Sequence, residues 1–129
     1  MAEIVICLDT SVLIDYFRKK NKEQSYFYHL LNQYTRFTIT SVTEFEIRCG
    51  IKKEQEEIWK DLLTEIEVLP FDSLASQLAA DIDQALKRKR KQIAIADLFI
   101  AATAIRHNTS LATLNKKHFS RIDKLIIIE

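Results

Sequence analysis

IVICLDTSVLIDYF, residues 4–17, joins an uncharged apolar run to a carboxylate and then to a helix-like repeat. A run as continuous as IVICL is expected of a strand covered on both faces, since a half-exposed strand would alternate. Asp9 follows it directly, and residues 11–20 read as a short helix. Val12, Leu13, Ile14, Tyr16 and Phe17 cover more of that helix than one narrow stripe. A doubly covered strand feeding a helix points to a parallel sheet with crossover helices.

The rest of the chain repeats this alternation. Residues 23–34 read as a helix, FTIT (37–40) as a strand, and 41–49 as a helix that Gly50 would stop. Within 53–65 and just beyond, Ile58, Leu62 and Ile66 share one helical face, with Trp59 and Leu63 beside them. IEVLP (66–70) is a short strand closed by proline. Leu74, Leu78, Ile82 and Leu86 recur every four residues through a long helix ending in KRKRK (87–91). Residues 97–107 form a further helix, and LATL (111–114) and KLIII (124–128) are the last strands. The expected fold is α/β: one domain over 1–129, a three-layer sandwich around a central, mostly parallel five-stranded sheet. Ligands of such sheets sit beyond the carboxyl ends of the strands.

Composition narrows the function. A 129-residue chain with 47% hydrophobic residues has enough material for a real core. A net charge of +1 does not by itself announce a nucleic-acid partner. One glycine in the whole chain excludes a P-loop or a dinucleotide-binding turn, which need several. The opening apolar run is too short for a signal-peptide core, and no stretch is long enough to span a bilayer. Cys7 and Cys49 form no CxxC pair. The expectation is a cytoplasmic protein with reduced thiols and no membrane partner.

Eighteen acidic residues are present, and most lie on polar helix faces. Asp9, Glu44 and Asp97 differ, because each follows an apolar stretch at or near a helix start. Asp97 stands inside IAIADLFIAATA (93–104), where an unpaired charge is costly. Helix capping is one reading: SVTE (41–44) matches a capping box with Ser41 as N-cap and Glu44 reaching back. Convergence is the other. Two like charges about 4 Å apart repel by roughly 4 kcal/mol at an effective dielectric near 20. Three converging carboxylates therefore call for a cation, and an all-oxygen set without Cys or His suits Mg²⁺ or Mn²⁺. The chemistry of such a site is phosphodiester hydrolysis.

IVICLDTSVLIDYF, TSVTEFEIRCG and IAIADLFIAATA together resemble a PIN domain of the VapC toxin type. The family pattern is an Asp in a D-T/S turn after the first strand, a Glu in a T-x-x-E helix, and an Asp in a D-x-x-I-A-A-T-A-like helix. Asp9, Glu44 and Asp97 fall on those positions. The resemblance spans essentially the whole chain. It implies Mg²⁺- or Mn²⁺-dependent RNA cleavage by the toxin of a toxin–antitoxin pair, with Asp9, Glu44 and Asp97 as catalytic metal ligands. The family often adds an acidic or amide residue after the fourth strand. TLNKKHF places Asn115 there, able to orient water but not to add charge. The resemblance also implies a protein antitoxin and a homodimer.

Local charge fits an RNA substrate. Arg88, Lys89, Arg90 and Lys91 of the basic run, with Lys116 and Lys117 after Asn115, are candidate backbone contacts. A solvated helix end is the plainer reading of that run. The apolar surplus on the helices at 11–20 and 23–34 suggests a partner groove. His29, His107 and His118 share no ligand spacing, and His118 reads as a surface or packing residue. Three other functions compete: a DNA or broader nuclease with the same acids, a non-catalytic nucleic-acid-binding module, and phosphoryl transfer through an aspartyl phosphate. The last generally needs a second acid beside Asp9, and LDTS has none.

Overall fold

In the computed structural model, which describes residues 3–128, the opening apolar run becomes strand β1 (Val5–Leu8). Its side chains alternate between two cores, as a doubly covered strand requires. Ile6 and Leu8 pack with Val12, Leu13 and Phe17 of α1 (Thr10–Arg18) and with Phe27 and Leu30 of α2 (Tyr26–Leu31). Cys7 joins the opposite core, with Leu86 of α5 (Ser73–Arg88) and Ile100, Ala101 and Ala104 of α6 (Ile95–Arg106). Burial pushes the Cys7 thiol up to about 12, so it stays protonated. Two cores, one on each sheet face, make the three layers.

The remaining elements are β2 (Arg36–Thr40), α3 (Ser41–Gly50), α4 (Glu56–Glu65), β3 (Glu67–Leu69), β4 (Ser110–Ala112) and α7 (Lys116–Phe119). The strands pair in parallel in the order β3-β2-β1-β4. After β3 the chain crosses back to the other side of β1, so the strand order reverses between β1 and β4. The carboxyl ends of those two strands flank a topological switch point, where open α/β sheets bind ligands.

The sheet has four strands, not five. The terminal segment does lie beside β4: Leu111 N donates to Ile126 O at 2.8 Å and Ile128 N to Leu111 O at 2.9 Å. It makes only an isolated parallel bridge, Leu111 to Ile127. β4 is three residues long and offers little to extend that pairing.

Local chemistry also moves several helix ends. The segment from 23 to 34 breaks in two because Asn21 and Ser25 both cap, giving a 3-10 turn at Lys22–Gln24 and then α2. Gly50 ends α3 without a positive φ. The left-handed residues are Arg90 (φ 55) and Asn108 (φ 56). Each closes a helix by the same pair of bonds, Arg90 N to Lys87 O with Lys91 N to Leu86 O, and Asn108 N to Ile105 O with Thr109 N to Ala104 O. This is the Schellman arrangement. It turns the chain inside KRKRK, so the basic run is not a straight helical stripe. Among the described residues no helix is long and apolar enough to cross a membrane.

Candidate active site

Asp9 stands at the carboxyl end of β1, on the switch point. Its backbone N–H donates to Ala112 O of β4 at 2.9 Å, which joins the two strand ends. The side chain is buried. Oδ2 accepts from Ser11 Oγ at 2.7 Å and from Thr113 Oγ1 at 2.8 Å. Asp9 holds the N-cap position of α1, yet its side chain makes no capping bond. Hydroxyl donors hold the carboxylate in place instead, and both act on one oxygen.

Helix α3 brings an acid to the same edge, and it is Glu46. The N-cap of α3 is Thr40, whose Oγ1 accepts from Thr43 N at 3.1 Å. Ser41 is inside the helix, and its hydroxyl accepts from Phe71 N instead. The capping box over 41–44 is thus not formed. Glu44 pairs with Arg48 one turn along, at 3.2 Å. Glu46 Oε1 accepts from Thr10 Oγ1 at 2.7 Å, and Thr10 also lies 2.9 Å from the Thr43 hydroxyl. Residues two apart on a helix are rotated by about 200°, so Glu44 and Glu46 cannot share a face. Thr43, Glu46 and Ile47 form the inward i, i+3, i+4 stripe. That stripe is the signal that could have singled out Glu46 in TSVTEFEIRCG.

Asp97 is the third residue of α6, whose N-cap is Ala94 with no side-chain cap. Burial first, and then the negative charges of Asp9 and Glu46, hold its carboxyl above the usual range, while His118 acts the other way. The charges of Asp9, just after β1, and of Glu46 on α3 therefore reach Asp97 on α6, and Glu44 is not among those acting on it. The small residues Ala101, Ala102 and Ala104 are fully buried, and α6 packs closely on α5.

Asn115 follows β4. Its backbone N–H donates to Thr113 Oγ1 at 2.9 Å, the same hydroxyl that donates to Asp9. Its side-chain nitrogen lies 2.9 Å from His118 Nδ1. His118 was not expected to bear on the acids, and the structure places it within electrostatic reach of Asp97.

A family model described as PIN domain matches residues 6–125. The chain belongs to the PIN-domain family, in its VapC branch. The protein called ribonuclease VapC1 of Methanocaldococcus jannaschii is 36% identical over 129 positions, covering 93% of this chain and 82% of that one. The crystal structure of VapBC2 from Rickettsia felis, bound to a promoter DNA fragment, superposes with a TM-score of 0.82 at 28% identity, covering 97% of this chain and 98% of that one. The DNA-bound VapBC of Salmonella typhimurium gives 0.85 at 25% identity, with 97% of each chain covered.

In this PIN domain, the acids' fit to a metal can be weighed from their chemistry. Among the described residues no group of three or more His, Cys, Asp or Glu is assembled, as it stands, to hold a metal ion. Mg²⁺ does not need such a cage: it is usually held through one or two carboxylates, with water and substrate phosphate completing its shell. Asp9 and Asp97 are all-oxygen donors whose mutual repulsion a cation would relieve, so the residues present fit the hard divalent ions.

A cleft and a basic run are further features of this PIN domain. A cleft of about 430 Å³ is lined by Ile14, Phe17, Ile47 and Ile51 together with Arg18 and Glu46. It therefore runs from an apolar floor to one of the site acids. On another side, Arg121 Nη1 donates to Gln92 O at 3.0 Å, tying the segment after α7 to the loop after the basic run. Within that run Lys87 pairs with Asp83 and Lys89 with Asp123, whereas Arg88, Arg90 and Lys91 are exposed and in none of the ion pairs among the described residues.

Proposed function

We propose that this PIN domain is a Mg²⁺- or Mn²⁺-dependent endoribonuclease and the toxin of a toxin–antitoxin pair. The observation that carries the reading is the buried Asp9 held by Ser11 and Thr113 at the switch point of a PIN fold, with Glu46 held by Thr10 and Asp97 near enough for both charges to act on it. Relatives named as ribonucleases, and solved neighbours that are toxin–antitoxin complexes, support the substrate and the partner. Asp9 and Asp97 would hold the cation, with Glu46 beside them. When bound, the ion supplies positive charge at the phosphate and acidifies a coordinated water. The chain's own residues do the rest. Ser11 and Thr113 fix Asp9, Thr10 fixes Glu46, and the acids accept the proton that leaves the attacking water. The apolar cleft that includes Glu46 and Arg18 fits an antitoxin segment that covers the acids, and a homodimer is part of the same reading.

The test is cleavage of mixed cellular RNA by the purified protein, with DNA run in parallel. Cutting should need added Mn²⁺ or Mg²⁺ and stop in chelator. Asp9→Asn, Glu46→Gln and Asp97→Asn should each remove it with the fold retained, and Glu44→Gln should leave it close to wild type. Loss with Glu44→Gln and survival with Glu46→Gln would reverse the assignment of the α3 acid. Cutting of DNA alone would replace the substrate.

A further inference from the structure

Asp9, Glu46 and Asp97 are all acceptors, and an RNA phosphate is an acceptor too. What the acids lack is a fixed hydrogen-bond donor aimed at the substrate. Lys116 and Lys117 are close in sequence, but they are long and exposed, and among the described residues neither side chain has a partner that fixes it. His118 is different. A relay of bonds ties it to the site: Thr113 Oγ1 donates to Asp9, Asn115 N donates to Thr113 Oγ1, and the Asn115 side chain meets His118 Nδ1 at 2.9 Å. With the Asn115 amide as donor, Nδ1 is the acceptor and the ring proton sits on Nε2. The one donor left on the imidazole is then the nitrogen remote from Asn115. The ring is exposed, on a helix that starts at the carboxyl end of β4 beside the switch point. Its influence on Asp97 shows that it stands within reach of the acids.

We propose that His118 contacts substrate directly, donating from Nε2 to a non-bridging oxygen of the RNA phosphate, and that Asn115 is the positioning residue that holds the ring for it. This rests on the ribonuclease reading above. It gives Asn115 a role through His118, rather than as a water-orienting amide at the metal.

The experiment compares His118→Ala, His118→Gln, His118→Asn, Asn115→Ala and the Asn115→Ala/His118→Ala double variant. Cleavage of a fluorescent single-stranded oligoribonucleotide is read as kcat/KM in Mn²⁺. Binding of the same oligonucleotide is read by anisotropy in chelator, where nothing is cut. A hydrogen bond to a charged group predicts a roughly ten- to hundredfold loss for His118→Ala in cleavage, and a weaker complex in chelator. Glutamine, whose amide nitrogen reaches about as far as Nε2, should restore much of the loss, and the shorter asparagine should not. Asn115→Ala should resemble His118→Ala, and the double variant should be no worse than either. Melting temperatures should stay together, since both side chains lie at the surface.

His118→Ala within twofold of wild type in both readouts overturns the proposal. So does failure of glutamine to rescue, or strict additivity in the double variant. If the wild type cuts no RNA, the ribonuclease reading fails, and the chelator binding series alone then decides on His118.

Discussion

A carboxylate in the first turn of a helix ordinarily gains from the positive helix end. Asp97 is so placed, yet its pKa is raised, with burial as the largest cause and Asp9 and Glu46 behind it. Burial, with those charges added, therefore outweighs the helix end. The folded state binds this proton more tightly than the unfolded chain does. The stability this gives is complete below the unfolded value, near 3.8, and is lost as pH rises through the higher folded value. Asp97→Asn keeps the shape and removes the charge. It should melt higher than wild type at pH 7, the gap closing as pH falls below the ordinary carboxylate range. Cleavage should fall by on the order of 100-fold or more. Melting curves from pH 3 to 8 check this, and a variant that melts lower at pH 7 would make Asp97 a structural cap. Asp97 was legible in the sequence because a charge in an apolar run has no bland surroundings. The α3 acid was not, because TEFE offers two glutamates and a capping-box spacing points to Glu44. The inward stripe of Thr43, Glu46 and Ile47 separates them, as does the T-x-x-E spacing itself, which Thr43 and Glu46 meet and Ser41 and Glu44 do not, and the hydroxyl of Thr10 completes the choice.

Elements were legible where pattern reaches the core, and less so where ends depend on caps. The alternation of strands and helices, and the burial of β1 on both faces, follow from apolar runs alone. The number of strands does not, because KLIII has the composition of a strand and finds only a three-residue partner. Helix ends depend on single side chains, and Asp72 is the clearest. It caps α5 by accepting from Ala75 N at 2.9 Å, and it accepts from Arg106 Nε at the end of α6 at 3.2 Å. The Ala75 bond lowers its carboxyl most; burial pushes the other way, and the charges of Arg106 and His107 with the Arg106 bond bring it below the ordinary value. The stability linked to that depression is present above the unfolded value near 3.8 and is lost as pH falls through the lower folded value. At pH 7 the order of melting should be wild type, then Asp72→Asn, then Asp72→Ala. Asparagine keeps the capping oxygen without the charge. Toward the acid end of the range wild type and Asp72→Asn should converge. Equal melting of the two variants at pH 7 would mean that the cap adds nothing.

At the scale of the whole molecule, nineteen basic and eighteen acidic side chains nearly cancel, so any pull on RNA has to come from their arrangement. The Schellman turn at Arg90 folds the basic run back on itself, and Arg121 holds the loop beyond it near α7. The basic run and the loop after it thereby lie against the segment that follows α7. The cations of the run are not equivalent: Lys87 and Lys89 already face acids, whereas Arg88, Arg90 and Lys91 are in none of the described ion pairs. Each phosphate contact to a single strand contributes about 0.7 to the slope of log K against log salt. An Arg88→Gln/Lys91→Gln variant should therefore bind an oligoribonucleotide with a slope shallower by roughly 1.4, if each side chain makes one contact. Lys87→Gln/Lys89→Gln should change the slope less, because those charges are partly spent on Asp83 and Asp123. Salt titrations of binding in chelator separate the two pairs without any contribution from cutting. Slopes that match wild type in both variants would leave the run as a solvated helix end, and would shift the RNA path to Lys116 and Lys117.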